Sequence, residues 1–189
     1  SEVILILINT AKYGGGGIYN LYSSVSIDNV YSRNILVHEL GHSFAGLGDE
    51  YYTSDIAYYD FYPLDREPWE PNLTILKDPL NLKWAHLLSE KIPVPTPWNQ
   101  EAFDRENDQY YTKYKQLSQS IDGSGKLKKL QLDHQDSVRL FFENHPLKNK
   151  IGAFEGGGYK SRGIYRPSLD CVMFSNRTLT FDRVCREAL

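Results

Sequence analysis

Methionine occurs once and cysteine twice in the 189 residues, and no apolar run is longer than the six of residues 3–8. Six residues cannot cross a bilayer, which takes about 20. No cationic flank marks them as a leader, so they read as a buried central strand over residues 3–9. The chain opens at Ser1, as a processed form or an excised domain would. Positive charge is also short: 21 Lys and Arg stand against 24 Asp and Glu, a net charge of -3. That excludes the basic footprint of a nucleic-acid binder or of a protein held on an anionic membrane. The cysteines, Cys171 and Cys185, stand in neither C-x-x-C nor zinc-ribbon spacing, which argues against a second metal site. Their separation suits a disulfide contributing about 3 kcal/mol, with two free buried thiols as the alternative. Phosphate and calcium loops are missing too. Tyr19 replaces the last glycine of a dinucleotide pattern after Gly14-Gly15-Gly16-Gly17, which reads as a flexible turn. Leu127 follows Gly125-Lys126 where a phosphate loop needs Ser or Thr, and no later acids complete a calcium site. There is no internal repeat, and the sequons at Asn72 and Asn176 carry no functional weight.

With 41% hydrophobic and 24% charged residues, the chain is an ordinary globular one. Its most informative stretch is His38-Glu39-Leu40-Gly41-His42, the H-E-x-x-H pattern of zinc-dependent hydrolases. Residues four apart share a helix face, so His38 and His42 can offer two imidazoles to one metal. Glu39 lies beside that pair, where a base acting on water belongs. The pattern predicts a helix over residues 29–45 with Ile35, Leu36, Leu40 and Phe44 as its apolar stripe. Gly46 and Gly48 can stop it in a left-handed turn, after which Asp49 or Glu50 can swing an oxygen back to the same metal.

Residues 18–25 alternate as a second strand, which is either core or an edge that an extended peptide could join. An aromatic, proline-studded stretch over 51–71 (Tyr51, Tyr52, Tyr58, Tyr59, Phe61, Tyr62, Trp69) is either a surface wrap or the lining of a substrate cleft. A short helix is expected over 79–90, extended chain over 92–98, an exposed charged helix over 99–119, a turn at 122–125 and a helix over 133–144. His86, His134 and His145 read as surface or capping histidines. Near the end, Met173 follows a Pro-containing turn. That is the context of a Met-turn, the hydrophobic floor beneath a metal. A final helix over 182–188 is then pinned through Cys185.

The stretch H-E-L-G-H-S-F-A-G-L-G-D-E-Y, the later F-E-G-G-G-Y, G-I-Y-R-P and C-V-M-F segments, and I-P-V-P-T-P between them resemble the bacterial IgA-specific metallopeptidase family, a metzincin-like group. The resemblance implies one α+β zinc-peptidase domain over 1–189. Its parts are a mixed twisted sheet, an active-site helix, a C-terminal Met-turn and a C-terminal helix, with 51–145 as an insertion. It further implies Zn2+ held by His38 and His42, Glu39 as catalytic acid and base, and a protein or peptide substrate such as host immunoglobulin or a surface glycoprotein. The location implied is secreted, periplasmic or cell-surface. The chain departs from the usual H-E-x-x-H-x-x-G-x-x-H pattern: glycine comes one residue late, at Gly46, and Gly48 takes the third histidine position. Asp49, three beyond Gly46, is the preferred acidic substitute, with Glu50 as the alternative ligand. Tyr165 is a candidate oxyanion donor. Two other readings compete with the endopeptidase: a zincin-fold protein-binding module with structural zinc, and a hydrolase of non-peptide amides.

Overall fold

A computed structural model describes residues 3–52, 61–119 and 123–189. It is mixed α+β and divides into two compact units, residues 1–97 with 149–189 and residues 98–148.

The first unit begins with a three-stranded sheet. β1 (Leu5–Ile8) runs parallel to β3 (Tyr22–Ser26), and β2 (Gly15–Ile18) pairs antiparallel with the other side of β3. The order is therefore β1-β3-β2. β1 was expected as the buried central strand; it is instead an outer strand of this sheet, and its residues are 43–60% exposed. The strand expected over 18–25 is shorter and central. Its inward residues are Ser23, Val25 and Ser26.

The glycine run was expected to be a turn and is β2. Glycine is a poor strand former, and in strands it often marks a close backbone approach. Here that approach is to α1 (Ser32–Ala45). A Cβ on Gly15 would lie 2.4 Å from Ile35 Cγ2, and one on Gly17 would lie 2.4 Å from the Glu39 carbonyl oxygen and 2.8 Å from His42 Cβ. Only bare backbone lets the strand lie this close to the helix.

α1 starts three residues later than predicted. The Asn29 side chain accepts from Tyr31 N–H, and Ser32 Oγ donates to the Ser26 carbonyl, so the chain is still turning at residue 29. Its buried face also differs from the predicted apolar stripe. Ile35, Glu39, Gly41 and Ser43 are buried, while Phe44 is 44% exposed. The reason is the surface it packs on: Ser43 Oγ lies 2.6 Å from Ser23 Oγ, and Ser23 Oγ donates to the Glu39 carbonyl. A serine and glycine sheet face receives a small, polar helix face.

The helix expected over 79–90 is only two 3-10 turns, Pro79–Asn81 and Ala85–Leu87. Extended backbone at Leu82 separates them, and Trp84 turns inward to donate Nε1–H to the Gly152 carbonyl. Trp84 joins Leu82, Ile151, Ala153 and Val184 in one core cluster. β4 (Phe154–Gly157) and β5 (Lys160–Arg166) form a hairpin, and α4 (Arg183–Ala188) closes the unit, capped by Asp182 Oδ1 on the N–H groups of Val184 and Cys185.

In the second unit, α2 (Gln100–Ser118) matches the charged helix expected there, and α3 (Gly123–Glu143) is longer than predicted. Gly123–Gly125 of the expected turn belong to α3; Asp122 lies outside the described residues, as do Tyr58 and Tyr59. The unit's core is Phe103, Val138 and Phe142, with the Trp98 ring 5.7 Å from that of Phe103.

Replacing Gly17 with alanine tests the tight strand-on-helix packing. The clash is with backbone, which cannot rotate away, so Gly17→Ala is expected to destabilise the chain by about 1–3 kcal/mol. Urea unfolding of both proteins measures it.

Candidate metal centre

The site is assembled by the way α1 ends. Gly46 is left-handed at φ 62°, its N–H bonds to the His42 carbonyl, and Leu47 N–H reaches the Gly41 carbonyl. This double bond is the C-terminal motif that reverses a helix. The reversed chain brings Leu47 O onto His42 and the Asp49 carboxylate under both histidines.

The three ligand atoms form a small triangle. His38 Nε2 and His42 Nε2 are 3.0 Å apart, and Asp49 Oδ1 is 2.9 Å from the first and 3.2 Å from the second. Nitrogen ligands at ~2.0–2.1 Å from a tetrahedral ion stand ~3.3 Å apart, close to this spacing. Hydrogen bonding among the three does not explain it. His38 Nδ1 lies 2.9 Å from the Val172 carbonyl and His42 Nδ1 2.6 Å from the Leu47 carbonyl. A carbonyl only accepts, so each Nδ1 carries a hydrogen, and whenever the ring is neutral its lone pair faces inward at Nε2. Asp49 Oδ1 is buried, and apart from the two histidine Nε2 atoms it has no hydrogen-bond partner among the described residues. Three lone pairs converging on one point call for a cation.

The electrostatics agree. Against the cost of burial, the two histidines hold the Asp49 carboxyl far below the usual range. Burial also disfavours charge on His42, yet Asp49 and the Leu47 carbonyl push it up to about 9, so a proton on Nε2 competes for the place a cation would take. The spot attracts positive charge.

The remaining predicted residues fall as follows. Glu39 is 9% exposed beside the trio, and burial raises its carboxyl above the ordinary value, Asp49 adding to this while both histidines oppose it. Met173 is fully buried, with its sulfur 2.6 Å from where a Cβ on Gly41 would stand. It therefore lies under the turn of helix between the histidines, and the carbonyl before it is the one His38 contacts. Glu50 points elsewhere: Asn72 Nδ2 donates to its Oε1, and its own N–H bonds to the Met173 carbonyl. Tyr165 is not brought to the trio. It packs against the Trp84 cluster, with Glu155 and Arg162 as its charged neighbours. Cys171 and Cys185 are free, with sulfurs 3.8 Å apart, well beyond the ~2.0 Å of a disulfide. His86 pairs with Glu187, His134 stacks on Tyr110 and His145 accepts from Leu147 N–H; none joins the trio.

Three features escaped sequence reasoning. The hydroxyl of Tyr159 donates to Asp49 Oδ2, fixing the carboxylate so that Oδ1 faces the histidines. Its signal was its place at the end of Gly156-Gly157-Gly158, a run tight enough to aim one side chain. Asn72 is fully buried and braces the loop through both Gly48 N–H and the Gly48 carbonyl. In the sequence it stood only as a sequon without functional weight. Lastly, β2 crosses the helix at Glu39 and His42. Of the two readings of the aromatic stretch over 51–71, the cleft lining is the one seen at Phe61, Tyr62 and Trp69, which with Tyr19 wall a cleft of about 210 Å³ beside His42 and Asp49.

Tyr159→Phe removes the hydrogen bond that orients Asp49 and leaves the ring packing in place. Metal affinity at this site is expected to fall about 10–100-fold, the usual cost of losing an outer-shell partner. Competition with a chromophoric chelator measures it, and an unchanged affinity would contradict the orienting role.

Comparison with known proteins completes the picture. No curated protein matches the chain. A family model described as IgA Peptidase M64 matches residues 1–189. The chain therefore belongs to the IgA Peptidase M64 family: it is a peptidase acting on protein substrate, and the M in that designation marks the metallo class.

Proposed function

We propose that the chain is a zinc-dependent endopeptidase of metzincin type, with Zn2+ held by His38, His42 and Asp49. The observation that carries this reading is the convergence of two imidazole Nε2 atoms and one buried carboxylate oxygen on one point. Two neutral nitrogens and one carboxylate are a common catalytic zinc donor set, leaving a position open for chemistry. A zinc ion there supplies the Lewis acidity that amide hydrolysis needs.

Each residue around it has a part. Glu39, whose carboxyl burial raises above its ordinary value, takes a proton from the attacking water and returns it to the leaving amine. Tyr159 keeps Asp49 oriented. Met173 is the floor that holds the two-histidine turn at one height, the Met-turn role. β2 replaces the 18–25 stretch as the candidate peptide-binding edge: its second edge is unpaired among the described residues, and it lies over Glu39 and His42. An extended peptide adding to that edge would lay its backbone along the catalytic groups. The aromatic cleft beside His42 would then take a side chain of the peptide, and the immunoglobulin in the family's designation is the first protein to try as substrate. Hydrolysis fits better than a binding module because Glu39 sits at the metal trio, where a purely structural zinc site has no use for a base.

Glu39→Gln is expected to keep zinc and lose about 10²–10⁴-fold in peptide cleavage. A chelator should abolish cleavage by the unaltered chain, and added zinc should restore it. Digestion of a peptide library with parallel metal analysis reads both. Native-rate cleavage by a zinc-loaded Glu39→Gln protein would sink the assignment.

A further inference from the structure

A second group of ligand-type side chains lies in the same unit, on the far side of the Asp49–Glu50 pair. Glu50, Cys171, Asp182 and Cys185 each offer one donor atom, and these atoms all lie within 4.8 Å of one another. Three of the four residues are buried. They come from three places: the loop after the metal helix, the residue two before Met173, and the first turn of α4. Asp182 and Cys185 are three apart at a helix start, which points both inward from one face.

The distances fit a tetrahedral ion. Sulfurs bound at ~2.3 Å to one such ion stand ~3.8 Å apart, and a sulfur and an oxygen stand ~3.5 Å apart. Observed are 3.8 Å between Cys171 and Cys185 sulfurs, 3.3 Å from Cys185 Sγ to Glu50 Oε1 and 3.6 Å from Cys185 Sγ to Asp182 Oδ2. A disulfide would need the sulfurs far closer. A plain thiol pair leaves a second difficulty. Glu50 is fully buried, and its Oε2 has no hydrogen-bond partner among the described residues. An unpartnered carboxylate oxygen in the interior is costly. The oxygen at the cluster is Oε1, and a cation beside it would neutralise the charge that both oxygens share.

We infer that Glu50, Cys171, Asp182 and Cys185 form a second, structural metal site that takes a thiophilic divalent cation such as Zn2+. Two thiolates exclude magnesium and calcium, which prefer all-oxygen shells. Four protein ligands close the shell and leave no position for substrate, so this ion serves the fold. It ties three segments that the catalytic trio depends on. Glu50 follows Asp49, Cys171 precedes the Val172 carbonyl that orients His38, and α4 is the last element of the unit. The spacing C-x13-C matches no familiar zinc motif because two ligands are carboxylates and one is 121 residues from the first cysteine.

Cobalt substitution of the full reduced chain tests this without reference to peptidase activity. Cobalt on thiolate gives a near-ultraviolet charge-transfer absorption that a site of histidines and aspartate cannot give. The unaltered chain is expected to bind two ions and show the band. His38→Ala/His42→Ala should bind one ion and keep the band, and Cys171→Ser/Cys185→Ser should bind one ion and lose it. Should the cysteine variant fail to fold, the first two proteins still decide. Absence of the band in both overturns the site, whether mass analysis then finds free thiols or a disulfide. An unaltered chain that shows the band yet cleaves no peptide would count against the catalytic reading alone.

Discussion

The reversal of the chain at Gly46 is the constraint on which the site rests. A helix can aim two histidines four residues apart at one point, but it cannot by itself supply a third ligand on the same side. The left-handed residue turns the chain back within three positions. Leu47 then offers its carbonyl to His42, and Asp49 its carboxylate to both rings. A Cβ at Gly46 would also lie 2.7 Å from the Trp69 ring, so the turn and the cleft wall are packed as one piece. Glycine is needed there for its backbone angle and for its lack of bulk.

A second chain segment locks that arrangement from below. Within three residues, 171–173, the turn beneath the helix contributes a carbonyl to His38, a sulfur under Gly41 and a carbonyl to Glu50 N–H. The same few residues therefore set the tautomer of one ligand, the height of the helix and the path of the loop carrying the other. From above, β2 lies on α1 with no side chain of its own at Gly15 or Gly17. The metal helix is held between a turn and a strand, both at contact distance. This explains why its buried face is small and polar, and why a hydrophobic stripe was a poor guide to it.

How legible was this in the sequence? The histidine pair, the adjacent glutamate and the lone methionine were, because each depends on local spacing or on rarity. The helix end at Ala45 was as well, since Gly46 announces it. The fold was legible in class and in most helices. It was not legible where long-range partners decide. Gly14–Gly17 carries no local preference for strand; its pairing with β3 imposes one. Residues 79–90 have helical composition, but burial of Trp84 against Gly152 interrupts the helix. Residues 3–8 look like interior strand because they are apolar, whereas exposure depends on what packs beside them.

The ligand set divides along the same line. Residue identity and a 3.6-residue repeat sufficed for His38, Glu39 and His42, since a helix converts spacing into direction. They left Asp49 and Glu50 as neighbours of equal chemistry. Consecutive residues in a turning loop point to opposite sides, and which side faces the histidines depends on contacts from far along the chain. Tyr159 holds one oxygen of Asp49, while Asn72 and Cys185 draw Glu50 the other way. The local chain determined which two imidazoles on this helix could face one metal; only tertiary contacts decided which carboxylate turns toward them, because selection between adjacent residues is made by partners over 20 positions distant.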